Sequence, residues 1–164
     1  MKIFQAFNGP MPTTAAQLKV TTGNVIKTML QIAPAANSSI LVVEWGISLD
    51  AFVAAAPGTV ELIETDVAAT VTALAAADIT KFGDANDDAS LITLGTSASG
   101  YTASAEGSIT AVRVGDAILD PPTGLYVKQF PQGQEFKIRA GKFGRIRVTF
   151  AAAINALCYI KWIE

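Results

Sequence analysis

The sequence predicts an all-β fold: a jelly roll or related β-sandwich or barrel of about eight strands, with one short helix and an extended N-terminal arm. Three observations carry that expectation. Short apolar stretches alternate with polar residues at the two-residue period of a half-buried strand. Breaks rich in Gly, Pro, Ser and Thr separate them, where an α/β chain would place regular helices. No internal repeat of roughly 20–50 residues is visible, which disfavours propellers and solenoids. The 164 residues suit one compact domain. A chain of this size can bury about two-thirds of its unfolded surface without disulfides or metals. Residues 1–17 are therefore read as the arm and 18–164 as a single β domain.

Residues 1–17 read as an arm because Gly9, Pro10 and Pro12 disfavour both helix and regular ladder. Phe4 and Phe7 give the arm apolar anchors. Residues 19–32 are apolar at Val20, Val25, Ile26, Met29, Leu30 and Ile32 and read as a strand, with Gly23–Asn24 as a turn or bulge. The strongest strand of the first half is 40–49, with Leu41, Val43, Trp45 and Ile47 on one face and Glu44, Gly46 and Ser48 on the other. Pro57 and Gly58 turn the chain into a strand at 59–65. The short helix is expected over 66–79: Asp66 can cap it, and Val67, Val71, Leu74 and Ala75 recur at helical spacing. Thr70 and Thr72 argue for strand instead. An acidic loop at 82–90 precedes a short strand at 91–94. Further strands follow at 101–105, 108–114, 125–130, 135–140 and 143–150, with a break at 120–124. The last strand, Asn155–Ile163, has Cys158, Ile160 and Trp162 as its drier set, which is placed inside.

Candidate chemistry is sparse. There is no histidine, which excludes Ser-His and Cys-His triads, histidine metal sites and histidine pH switches. Cys158 lies alone in an apolar run and reads as a small hydrophobe. Asp84, Asn86 and Asp88 echo the start of an EF-hand loop, yet Ala89 stands where the turn glycine is needed and Gly95 where the bidentate glutamate is needed. A looser calcium site is the alternative there to a solvated acidic loop. Glu61 and Glu64 fall on opposite faces of one strand and do not converge by themselves, as a glycosidase pair must. Glu44 beside Trp45 suggests a sugar subsite, with an outward charge next to a core aromatic as the plainer reading. No Walker or dinucleotide glycine loop is present. No enzyme activity, cofactor or metal is expected.

Charged residues make up only 16% of the chain, against about 25% in an average globular protein. No apolar run approaches the roughly 18–20 residues of a membrane span, and residues 1–5 lack the features of a secretory signal. A thinly charged surface suits packing against neighbours. The charges are also segregated: residues 1–33 carry +3, 34–111 carry −9 and 112–164 carry +4, for a net −2. Lys137, Arg139, Lys142, Arg145 and Arg147, with Phe136 and Phe143 interleaved, could form a basic face with aromatic platforms for nucleic acid. The acidic overall balance points instead to pairing with the 34–111 segment, within the subunit or across an interface.

Four segments, VVEWGIS at 42–48, VELIETDVAATVTAL at 60–74, GYTASAEGSITAVRV at 100–114 and NALCYIKWIE at 155–164, carry a family resemblance. The chain resembles small virion structural proteins of tailed bacteriophages, of the capsid decoration or cement type, over most of residues 20–164. The resemblance implies a jelly-roll or related fold and a location in the virion. It implies homo-oligomers, often trimers, that clamp the major capsid protein or other virion subunits, with no membrane and no direct nucleic-acid contact. It carries over no catalytic residue. In this setting Phe4 and Phe7 of the arm are expected to engage a partner, and Arg139, Arg145 and Arg147 to meet acidic surface. The alternative is a β-sandwich carbohydrate- or receptor-binding module of a phage fibre or tail, for which an exposed Trp45 or Tyr101 cluster would speak.

Overall fold

The computed structural model describes residues 1–50, 56–108, 110–119 and 124–164. The break expected at 120–124 falls almost wholly outside them. Thirteen strands occur among the described residues: β1 (Ile3–Phe7), β2 (Val20–Thr21), β3 (Lys27–Ile32), β4 (Ile40–Asp50), β5 (Gly58–Thr65), β6 (Thr70–Ala73), β7 (Ile79–Lys81), β8 (Gly100–Ala105), β9 (Ala111–Leu119), β10 (Leu125–Gln129), β11 (Phe136–Ile138), β12 (Phe143–Thr149) and β13 (Asn155–Ile163). They form two antiparallel sheets. The first has the order β10-β4-β13-β1-β7, with β11 also on β4 and β2 on β13; the second has the order β6-β8-β3-β12-β5-β9. The all-β expectation holds, and the strand count exceeds the expected eight. The excess comes from short pieces: Gly23, at φ 69°, divides 19–32 into β2 and β3, and β1, β6 and β7 add brief ladders where no strand was expected.

Between the sheets lies one core, built from Phe4, Leu30, Trp45, Leu62, Ile146, Ile160 and Trp162 among others. Strand β13 supplies it with strict alternation: Ala156, Cys158, Ile160 and Trp162 are buried while Leu157, Tyr159, Lys161 and Ile163 are half-buried on the outer face. The inward set is the expected one. Strand β4 departs from its expected phase. Val42 pairs with Trp162 and Glu44 with Lys161, so Val43 is an extra residue that shifts the register. A bulge of this kind flips the side-chain alternation. Ile40 and Val42 therefore point inward with Trp45, Ile47 and Leu49, while Leu41 and Val43 are only half-buried.

The expected helix at 66–79 is not formed. That stretch contains β6, paired with β8, and a 3₁₀ turn at Ala76–Asp78. The β-branched Thr70, Val71 and Thr72 favour the ladder, and the Asp66 carboxylate accepts from the Thr110 N–H at 3.1 Å rather than capping a helix. Residues 91–94 are likewise not a strand: only an isolated bridge joins Leu94 to Ser99, and the Thr93 N–H donates to the Ala33 carbonyl at 2.9 Å.

The N-terminus also differs from expectation. Residues 3–7 are not an arm but a strand inside the first sheet, flanked by β13 on one side and β7 on the other. Asn8 extends the seam: its amide donates to the Ala156 carbonyl at 2.9 Å and its side-chain oxygen accepts from the Cys158 N–H at 3.0 Å. The prolines at 10 and 12 stop the ladder there, and residues 12–19 run exposed outside any strand.

Candidate functional site

The basic residues expected to meet a partner's acidic surface meet this chain's own. On the outer face of the second sheet the Glu61 carboxylate accepts from Arg147 Nε at 2.6 Å and Arg113 Nε at 2.7 Å. Glu64 takes the Arg139 guanidinium, Nε at 3.2 Å and also Nη2, and accepts from the Arg139 backbone N–H at 3.2 Å. Arg145 Nη1 reaches the Glu106 carboxylate at 3.3 Å and its carbonyl at 3.2 Å, and Nη2 donates to the Val67 carbonyl. Glu106 in turn accepts from the Thr28 N–H at 2.5 Å and hydroxyl at 2.6 Å. Burial pulls the Arg145 guanidinium down to about 10 against the opposing pull of Glu106. Arg145 has no exposed side-chain surface and Arg147 little, so neither is placed to bind a partner; Arg139 is open to solvent while paired. These ion pairs take three of the five basic residues that a nucleic-acid face would draw on, Arg139, Arg145 and Arg147.

Phe4 and Phe7 part company for a simple reason. Residues three apart on a strand face opposite ways. Phe4 is fully buried and stacks on Trp162 with ring centroids 5.9 Å apart. Phe7 lies on the outer face, 5.8 Å from the Tyr159 ring. The core position of Phe4 replaces the partner contact expected of it.

That outer face of the first sheet gathers the most functional side chains. The ladder registers place Phe7, Tyr159, Gly46 and Val127 in one row across β1, β13, β4 and β10, beside a second row of Gln5, Lys161, Glu44 and Gln129. Leu125 and Leu157 extend the apolar side through Ser48. Gly46 makes room for the Tyr159 ring, whose Cε1 would lie 2.7 Å from any Cβ there. In the polar row Glu44 accepts from Tyr159 Oη and Lys161 Nζ at 2.7 Å each and from Gln129 Nε2 at 2.6 Å. Burial alone would raise the Glu44 carboxyl, but these three donors together hold it below the usual glutamate value. Burial and the neighbouring Glu44 push the Tyr159 phenol up. Lys161 Nζ also lies 4.4 Å from the centroid of the Phe82 ring. A hollow of about 340 Å³ lies here, lined by Ile3, Val43, Glu44, Phe82, Gln129, Phe130 and Lys161.

Of these residues the sequence signalled Phe7 as an anchor and Glu44 as outward-facing. Tyr159 and Lys161 were legible only as the wetter set of β13. Gln129 and Phe82 had no signal, because β10 and the loop after β7 reach the site through tertiary pairing. Trp45 is fully buried and Tyr101 is half-buried against the core, so neither offers an exposed sugar platform. The acidic loop does not converge on a cation: Asp88 pairs with Lys2 at 2.5 Å and the Asp84 carboxylate accepts from the Asn86 N–H at 2.8 Å. Among the described residues no three carboxylate or thiol groups gather for a metal ion. Burial pushes the Cys158 thiol well above its usual range. Fold and site together define an antiparallel two-sheet β-protein with a mixed apolar and polar outer face. Comparison with protein-family models, curated proteins and solved structures finds no match.

Proposed function

We propose that this chain is a non-enzymatic virion structural protein with a jelly-roll fold, which decorates and stabilises a phage capsid through contacts with the major capsid protein and with further copies of itself. The observation that carries the proposal is the strand order. Leaving aside the short β2, β6, β7 and β11 together with β8, four strands lie in the order β1-β13-β4-β10 in one sheet and four in the order β3-β12-β5-β9 in the other. In chain order each step between these eight strands crosses to the opposite sheet except β5 to β9. A two-Greek-key jelly roll, the architecture of many capsid and lectin domains, would have this order, which supports the reading. The fold supports the class by analogy alone; together with the resemblance at 42–48, 60–74, 100–114 and 155–164, it favours the virion over other settings. The row of Phe7, Tyr159 and Val127, flanked by Leu125 and Leu157, supplies an apolar surface of the kind that marks a protein contact.

A second reading, a glycan- or receptor-binding module, has one observation in its favour: the hollow beside Glu44, where Gln129, Lys161 and the exposed Phe82 offer polar groups around an aromatic ring. The two readings separate in one experiment. Purified protein is mixed with heads of the phage that encodes it, lacking this protein, and the pellets are imaged; F7A and V127K are compared with F82A. Decoration by the wild type and F82A, weakened at least about tenfold in V127K, supports the capsid reading. Failure to bind heads, with glycan binding that F82A abolishes, overturns it.

A further inference from the structure

We infer that two copies of this chain pair through their β9 strands, antiparallel about a two-fold axis between Val114 and Gly115, so that the second sheet runs continuously from one copy into the other. Strand β9 ends the second sheet and β10 ends the first on the same side of the sandwich, where the two strands touch. Among the described residues no strand covers the outer edge of β9, and an uncovered edge nine residues long presents backbone N–H and C=O groups that can template a further strand. Ile118 is 77% exposed, Val112 60% and, on β10, Leu125 67%. Apolar side chains at an open edge lose water contact once another strand covers them.

The charges select the second copy as occupant and choose its register. In β9 the ladder to β5 pairs Leu62 with Gly115 and Ile63 with Arg113, leaving Val114 as the extra residue of a bulge. Because of that bulge Arg113 and Asp116, three apart, lie on one face: their partners Ile63 and Glu61 are two apart on β5. The pairing about Val114/Gly115 sets Arg113 opposite Asp116 of the second copy, and Asp116 opposite its Arg113. It also sets Ala111 opposite Ile118 and Val112 opposite Ala117. Each facing pair then shares a side of the joined sheet. Centring the axis on Arg113 or on Asp116 instead would place like charges face to face, which costs stability. Arg113 keeps its bond to Glu61 within the subunit and still has 68% of its side chain exposed for the second carboxylate. The bulge interrupts the new ladder at the axis, so the hydrogen bonds form on either side of it. The interface is isologous and closes at two copies.

The pairing is independent of whether the protein belongs to a particle, and sedimentation velocity on the purified full chain tests it. The expected result is a dimer whose dissociation constant rises at least about tenfold in D116K, where Lys meets Arg113. The fold of D116K is checked by its thermal transition; its new lysine faces Glu61 across the ladder and leaves the core untouched. D116N, a milder change, weakens the dimer less. The swap R113E/D116K restores it, because opposite charges again face each other. A monomer at about 100 μM, weaker than the affinity range of specific complexes, overturns the inference. So does a trimer, or a dimer that D116K leaves intact, or a swap that fails to restore pairing while its thermal transition stays cooperative. None of these outcomes bears on binding to phage heads.

Discussion

Phe4 and Phe7 show how a single residue's role depends on which side of a strand it takes. The Phe4 ring fills the space against Trp162 with no exposure, whereas Phe7 covers Tyr159 from outside. Truncating a buried phenylalanine costs about 3–5 kcal/mol, through lost transfer energy and the cavity left behind. F4A is therefore expected to lose about 3–5 kcal/mol in urea unfolding, and F7A less than half of that. Equal losses for the two would contradict the facing described above. Both residues were legible in the sequence as apolar anchors. Their separation was not, because Pro10 and Pro12 hide the strand that precedes them, and the pairing that makes it a strand comes from β13 at the far end of the chain.

At the level of elements, Glu44 ties three strands together: it sits on β4 and accepts from Tyr159 and Lys161 of β13 and from Gln129 of β10. Folding lowers its pKa from the ordinary 4.5. A group depressed on folding contributes stability above its unfolded pKa and loses it as pH falls through the folded one. The melting temperature is thus expected to fall on acidification below about pH 4.5, and the gap between wild type and E44Q, wide at neutral pH, is expected to close there. A gap that stays constant from neutral to acid pH would rule the carboxylate out as its source. Bulges decide much else at this scale. Those at Val43 in β4 and Val114 in β9 shift alternation by one residue. A period-two pattern holds on one side of such a point and inverts on the other, so it misplaces Leu41 and Val43, whereas it holds along β13, unbroken over 155–161.

At the scale of the whole molecule, part of the segregated charge is turned inward. Acids of the 34–111 segment, Glu61, Glu64 and Glu106, pair with Arg147, Arg139 and Arg145 of the basic C-terminal segment. The two blocks meet because β12 lies between β3 and β5. The Glu61–Arg147 and Glu106–Arg145 pairs, held at low exposure, are screened little by salt, and the exposed Arg139 end of the third pair adds little that salt can remove. The unfolding free energy of the monomer is accordingly expected to change by less than about 1 kcal/mol between roughly 0.05 and 1 M NaCl. A drop of several kcal/mol, followed by urea titration at the two salt concentrations, would mean that exposed charges dominate. Segregation in the sequence pointed to such pairing, within the subunit or across an interface; it gave no sign of which pairs would form within one subunit.

From the sequence alone came the all-β class, the absence of histidine chemistry, the inward set of β13 and the opposition of acidic and basic blocks. Each depends only on composition or on a short-range period, which the chain carries locally. The tertiary structure alone decided that residues 3–7 are a central strand, that 66–79 form strand and turn rather than helix, and that Arg145 is buried. It also placed β9 at the end of its sheet among the described residues. Those outcomes depend on register between strands up to the full length of the chain apart, and on single inserted residues that reverse a strand's face. Pairing energy between distant segments settles them, and no local pattern records it.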